Sequence, residues 1–326
     1  MDMKFKMLAR GLAALALAGA LSLGAAQAQQ PATGVMKPPS GQEEQMLREL
    51  KKVEGRVSIP DAKSGTLIQP AGQEFRAFHR DTLPWIGAAA IFGMALLLAL
   101  FFFVRGRIRV AAGLSGHTML RFPSFDRMVH WMTAACFIIL ALSGLNMAFG
   151  RTLLLPLIGD TGFSALTQLG KTAHNYLGFP FMLGVALMFL IWVSQNIPNA
   201  RDIAWFRAGG GIVGKGHPPA GKFNGGQKII FWTVVFGGAA LSVTGLMLLM
   251  PFDYTDIAGM QLSQTTHGLI GVVMMAVILA HIYIGTLGME GAFSAMGSGE
   301  VDVNWAREHH SVWYEQEAAR GRAAAE

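Results

Sequence analysis

The chain has 326 residues, 52% hydrophobic and only 14% charged, against roughly 25% charged in a soluble globular domain. That balance excludes a disordered or nucleic-acid-wrapping protein, and the single cysteine, Cys136, excludes a disulfide framework or a Cys-ligated zinc or iron–sulfur site built from this chain alone. The net charge of +6 acquires meaning only once the basic residues are located.

Residues 1–28 open with Lys4, Lys6 and Arg10, continue through a small-residue apolar stretch from Gly11 to Gly24, and end in Ala26-Gln27-Ala28. This is the pattern of a secretory signal peptide; an uncleaved signal anchor is the alternative, and both put residue 29 outside the cytoplasm. Residues 29–82 are polar and broken by Pro31, Pro38, Pro39, Pro60 and Pro70, with one short amphipathic pattern from Gln42 to Val53. We expect a periplasmic arm that buries little core and carries no chemistry of its own.

Five apolar stretches then approach the length that crosses a hydrocarbon core. They run over 83–104, about 129–149, about 173–193, 229–250 and about 267–287. Helices are the form expected, because an open strand would leave backbone polar groups unpaired in lipid. Arg105, Arg107, Arg109, Arg121 and Arg127 lie between the first two spans, and Arg201, Arg207, Lys215, Lys222 and Lys228 between the third and fourth. Cytoplasmic loops concentrate such residues, so 105–128 is expected to be a cytoplasmic linker and 291–326 a cytoplasmic tail. The basic excess is therefore largely topology, and no nucleic-acid partner is expected.

An ionisable residue inside a membrane helix is costly and marks function by default. His130, His174, His267 and His281 qualify. The last two share one helix, 14 residues and so about 21 Å apart along the axis and on nearly the same face. The alternating topology sets His130 level with His281 on the cytoplasmic side, and His174 level with His267 on the periplasmic side. Two stacked bis-imidazole pairs are what two b haems require; hydrogen-bonded interfacial histidines, or a metal or proton transporter, are the competing readings. A transporter pathway usually carries intramembrane Asp or Glu, and the five spans hold none. Arg127, one turn before His130, is positioned to neutralise a haem propionate or simply to anchor the positive-inside end. His79, His117 and His217 read as solvated loop residues, adjacent His309 and His310 cannot grip one metal, and Cys136 reads as a small packed hydrophobe.

Several segments together resemble one family. They are Ser124-Phe125-Asp126-Arg127-Met128-Val129-His130-Trp131, Lys171-Thr172-Ala173-His174-Asn175-Tyr176-Leu177-Gly178, and Gly221-Lys222-Phe223-Asn224-Gly225-Gly226-Gln227-Lys228. Thr266-His267-Gly268, Ala280-His281-Ile282-Tyr283 and Trp305-Ala306-Arg307-Glu308-His309-His310 with Trp313-Tyr314 continue the series. In this order, over about residues 121–316, the chain resembles the gamma subunit of respiratory membrane-bound formate dehydrogenase, in a long form with an N-terminal extension.

The resemblance implies an all-α membrane protein of the bacterial inner (cytoplasmic) membrane: a four-helix dihaem cytochrome b556 bundle over 129–290 plus one extra N-terminal transmembrane helix, 83–104. It implies two haem b groups, the inner on His130 and His281 and the outer on His174 and His267. It further implies menaquinone or ubiquinone as acceptor at Asn224, Gly226 and His281, and two partners, an iron–sulfur beta subunit and a molybdenum or tungsten pterin alpha subunit. The chain would be a non-catalytic electron-transfer subunit; a cytochrome b serving a nickel–iron hydrogenase or another molybdenum oxidoreductase is the alternative. The orientation is directly testable: a reporter fused at Gly216 should be active as a cytoplasmic fusion and one at Thr255 as a periplasmic fusion, and reversed activities would invert the topology.

Overall fold

The computed structural model describes residues 70–211, 218–251 and 253–323. The expected signal peptide, the amphipathic pattern at 42–53 and His217 lie outside the described residues.

The described chain is helical from its first residue. Helix α1 (Pro70–Ala77) runs through a π-turn (Phe78–Thr82) into α2 (Leu83–Arg105), which ends at Gly106 with φ of +67°. The end of the expected arm is thus already part of the first long helix. Its polar residues interrupt the apolar run that reveals a span, whereas Phe75, Phe78 and His79 repeat at helical spacing. After a short strand, β1 (Thr118–Leu120), come α3 (Ser124–Leu153) and α4 (Leu155–Trp192), the latter broken at Gly159, where φ is +68°. Helix α5 (Ala200–Arg207) is closed by a capping box between Asn199 and Asp202. Helices α6 (Gly225–Leu249) and α7 (Ile257–Tyr283) follow, and α7 passes into a second π-turn, Ile284–Gly288. The tail holds α8 (Ser294–Gly297), β2 (Glu300–Asp302), α9 (Val303–His309) and α10 (Ser311–Ala323).

Five of these helical stretches are long and apolar enough to cross a membrane. They overrun the apolar segments because amphipathic turns extend each span into the interface, most of all at α4, which begins well before residue 173. Helices α3, α4, α6 and α7 form a four-helix bundle, and α2 lies outside it against α7. In lipid no hydrophobic effect draws helices together, so close packing must. A Cβ on Gly184 would collide with Thr133 across α3 and α4, and one on Gly238 would come 2.8 Å from a Val185 methyl across α4 and α6. The outward side of α2, with Trp85, Phe92, Leu96 and Phe103, is exposed and suited to hydrocarbon.

At the end of the bundle assigned to the cytoplasm by its basic residues, linker and tail fold into one cap. Strand β1 pairs antiparallel with β2, Thr118 opposite Asp302, and Ile108 bridges to Met289. The Asp302 carboxylate accepts from the amides of Ser115, Gly116 and Asn304, tying the linker to the start of α9. Beneath lies an apolar cluster that includes Phe122, Val129, Trp192, Val301, Trp305 and Trp313.

A cation sits in that cluster. Arg121 is 3% exposed, its guanidinium carbon 5.1 Å from the Trp305 ring and 4.9 Å from that of Trp313. It donates to the Lys222 carbonyl and, at 3.1 Å, to Nε2 of His310. His310 in turn donates from Nδ1 to the Gly221 carbonyl at 2.7 Å. A carbonyl can only accept, so the proton is on Nδ1 and the ring is neutral. Burial pushes Arg121 down to about 9 and His310 well below the usual histidine range.

The sign of the pH effect follows. Below about 6.5 the unfolded chain protonates this imidazole while the folded cap does not, so the contribution is complete above that pH and is lost as pH falls. We expect hydrogen exchange of the 303–314 amides, corrected for intrinsic rate, to accelerate between pH 7.5 and 5.5. In His310→Gln exchange should be faster at the higher pH and should lack that acceleration; an unchanged pH response would remove His310 from its cause.

Candidate functional site

The bundle brings the four span histidines together two by two. His130 on α3 faces His281 on α7 with ring centroids 6.1 Å apart, and His174 on α4 faces His267 on α7, again at 6.1 Å; the interplanar angles are 58° and 59°. A direct N–H···N bond of about 2.9 Å would set such centroids only about 5 Å apart. A metal held by two opposed imidazoles, with bonds of about 2 Å and ring nitrogens about 1.1 Å from their centres, sets them roughly 6 Å apart. Both pairs match the second spacing.

The outer pair is also fixed in tautomer. The Ser143 hydroxyl donates to the Ile139 carbonyl at 2.7 Å, and its oxygen accepts from His174 Nδ1–H at 2.9 Å. On the opposite hairpin the Thr244 hydroxyl donates to the Ala240 carbonyl at 2.7 Å and accepts from His267 Nδ1–H at 2.9 Å. Each hydroxyl has one proton, and a carbonyl takes it, so each imidazole must donate from Nδ1. The Nε2 lone pair of each ring is left for a ligand, the arrangement that metal-binding histidines require.

Glycines make the room. A Cβ on Gly144 would lie 3.5 Å from His174 Cε1 and one on Gly245 3.4 Å from His267 Cε1, so the rings rest against bare backbone. Gly178 and Gly271 face open space instead, in a cavity of about 790 Å³ lined by both histidines. That volume is in the range of pockets that hold a small molecule or cofactor. The residues therefore fit a flat, bis-imidazole-ligated macrocycle. Sequence reading missed Ser143 and Thr244, although the repeated triplets Ser143-Gly144-Leu145 and Thr244-Gly245-Leu246 marked them.

The inner pair is built differently. His130 Nδ1 is buried without a hydrogen-bond partner among the described residues, and the ring stands edge-on to Trp131 at 5.1 Å. Trp131 donates to the Met296 carbonyl at 2.8 Å, and Arg127 donates to the Gly297 carbonyl at 2.7 Å. Arg127, read either as a propionate partner or as an anchor of the positive-inside end, is thus engaged with the tail, while its Nε is buried with no partner among the described residues.

Of Asn224, Gly226 and His281, expected to act together, Asn224 lines one of the two cavities described, and Gly226 and His281 line neither. Asn224 is the N-cap of α6: its Oδ1 accepts from the Gln227 amide at 3.0 Å, and its own amide donates to Gln227 Oε1 at 3.1 Å. It lines a second, polar cavity of about 520 Å³ with Arg121, Lys222 and Lys228. Lys228 is paired with Asp202 at 2.8 Å. Gly226 packs under Trp205, where a Cβ would come within 2.9 Å of the indole.

One expectation is overturned. His79 is not a solvated loop residue: it sits in the π-turn before α2, part-buried, and lines the 790 Å³ cavity with His174 and His267. The rings of Phe75 and Phe78 and the wall of the cavity make its environment, which local polarity could not reveal. His117 is exposed and Cys136 packs with Phe181 and Val185, as expected. His309 and His310 are buried, His310 as a ligand of Arg121 rather than of a metal. Among the described residues no cluster of three or more His, Cys, Asp or Glu could hold a metal ion, so the paired imidazoles are the ligand sets on offer.

Residues 121–299 match the prokaryotic cytochrome b561 family. That is more than half of the chain, which belongs to this family: it is a multi-pass membrane cytochrome of the b type, an electron-transfer subunit whose cofactor is haem b. It is 30% identical over 203 residues to the cytochrome b556(Fdn) subunit of the nitrate-inducible formate dehydrogenase of Escherichia coli K12, covering 61% of this chain and 91% of that one. The cytochrome b556(fdo) subunit of formate dehydrogenase from the same strain is also 30% identical, over 61% of this chain and 93% of its own length. The formate dehydrogenase cytochrome b556 subunit of Haemophilus influenzae is 29% identical, over 61% and 83%.

Proposed function

We propose that this chain is the gamma subunit of a respiratory formate dehydrogenase in the bacterial inner membrane. It accepts electrons from an iron–sulfur beta subunit, fed by a molybdenum or tungsten pterin alpha subunit, and delivers them through two b haems to menaquinone or ubiquinone. The observation that carries the reading is the pair of 6.1 Å imidazole separations on two levels of one bundle, in a chain whose relatives are named as formate dehydrogenase cytochromes.

In this reading His174 and His267 hold the outer haem and His130 and His281 the inner. Haem b supplies a one-electron couple at each site. The chain's residues do the rest. Ser143 and Thr244 keep both outer Nε2 atoms unprotonated and raise their basicity, favouring the oxidised state there. His130 Nδ1 has no such acceptor among the described residues, so this contribution lowers the outer potential relative to the inner, the sense that favours inward transfer. Moving an electron inward across the membrane stores about 2.3 kcal/mol per 100 mV.

Quinone is assigned to the head of α6. Asn224 spends its carboxamide oxygen on the helix cap and keeps its NH2 as a donor, and the Gly226 amide is among those a helix N-terminus leaves without an intrahelical acceptor. His281 marks the electron source at the same level.

Purification of the tagged chain from formate-grown membranes tests the assignment. Formate should reduce its b-haem bands and a pterin-containing subunit should co-elute; reduction by hydrogen but not formate would make it a hydrogenase cytochrome. Asn224→Leu should keep both haems reducible by formate and slow their reoxidation by quinone about tenfold, the loss of roughly one hydrogen bond. Reoxidation at the wild-type rate would put quinone elsewhere.

A further inference from the structure

The helix that precedes the family match supplies part of the outer cavity. His79 and Leu83 both line it, and Leu83, 5% exposed, is what a Cβ on Gly268 would meet at 3.3 Å, one residue after His267. His79 is held in place. Its Nδ1–H donates to the Phe75 carbonyl at 2.9 Å, and its ring packs 4.1 Å from that of Phe75 and 5.5 Å from that of Phe78. Because a carbonyl only accepts, the Nδ1 proton is committed. The other nitrogen, Nε2, is buried and has no hydrogen-bond partner among the described residues. A buried nitrogen left this way is destabilising, a cost that a ligand in the cavity can recover.

The chemistry of that ligand is set by what the wall lacks and holds. Haem b brings two propionate carboxylates, and a carboxylate in a membrane interior needs donors. Among the described residues no acidic side chain lines the cavity; apart from the two facing histidines, the polar side chains there are His79, Lys171, Asn175, Ser242 and Gln264. The Ser242 hydroxyl is spent on the Gly238 carbonyl at 2.6 Å. Lys171 precedes His174 by three residues, Gln264 precedes His267 by three, and His79 precedes the first residue of α2 by four. Lys171 and Gln264 thus stand one helical turn before the histidine of their own helix, and His79 one turn before α2, all three on the side of the cavity towards the outer surface, where carboxylates would find their donors.

We propose that His79 is a carboxylate-binding residue of the outer haem site: it donates Nε2–H to a haem propionate, and the N-terminal membrane helix thereby completes a cofactor site begun by the family core. The inference rests on His174 and His267 as the outer haem's ligands. With Nδ1–H already committed, a donating Nε2 makes the ring an imidazolium, and its bond to the propionate is charge-assisted. A cation at the macrocycle edge favours the reduced iron, so His79 raises the midpoint potential of the outer haem.

The test is a potentiometric titration of haem absorbance in the full-length chain, without formate. His174→Ala identifies the outer component; if it removes neither component, the ligand assignment fails whatever His79 does. His79→Ala should lower the outer midpoint and leave the inner one in place, and His79→Gln, which restores a donor but no charge, should lower it less. An outer midpoint unchanged in His79→Ala with haem retained would overturn the proposal. If His79→Ala loses the outer haem, His79→Gln decides: a lowered midpoint supports carboxylate binding, whereas haem loss there too, or a wild-type midpoint, overturns it.

Discussion

Two imidazole rings whose centres stand 6.1 Å apart inside a membrane bundle are too far apart to bond each other and too enclosed to rely on bulk water. That separation, made twice, is what the rest of the bundle maintains. Helix α7 contributes one ring to each pair, so its position fixes both gaps, and it is the helix gripped on one side by α6 and on the other by α2. Lipid gives helices no hydrophobic reason to stay together. The close approaches at Gly184 and Gly238 supply the packing that does.

The two levels are unequal, and the inequality has a direction. Outer rings are locked by hydroxyls whose own protons are committed to main-chain carbonyls. The inner pair lies against a folded cap, with Trp131 and Arg127 bonded to the carbonyls of Met296 and Gly297 in the tail. The cap turns on Arg121, a buried guanidinium caged by aromatic rings and bonded to a neutral His310. Linker, third loop and tail, far apart in sequence, converge on that one cation, which makes the surface around Asn224 a built structure rather than three loose connections.

Spans and histidine pairs were legible in the sequence because hydropathy and ligand depth are local or one-dimensional quantities. The ends of the helices were not, since α1 and the first part of α4 carry polar residues on the same helical path and no apolar run to announce them. Ser143 and Thr244 were passed over, despite their repeated triplets, because a hydroxyl in a membrane helix normally bonds its own i−4 carbonyl, and here it does that and accepts from a histidine as well. His79 was misread for a different reason: its surroundings are polar in sequence and apolar in space. Asn224 was read for its donor chemistry, whereas the fold first uses its oxygen as a helix cap.

Haem content per chain in histidine variants tests the central claim most directly. Two haems are expected in the wild type and one in each of His130→Ala, His174→Ala, His267→Ala and His281→Ala. The double variant His130→Ala with His281→Ala should keep one, and His130→Ala with His174→Ala should keep none. A haem retained in that last variant, or two lost when His130 and His281 are replaced together, would contradict the pairing on which the account is built.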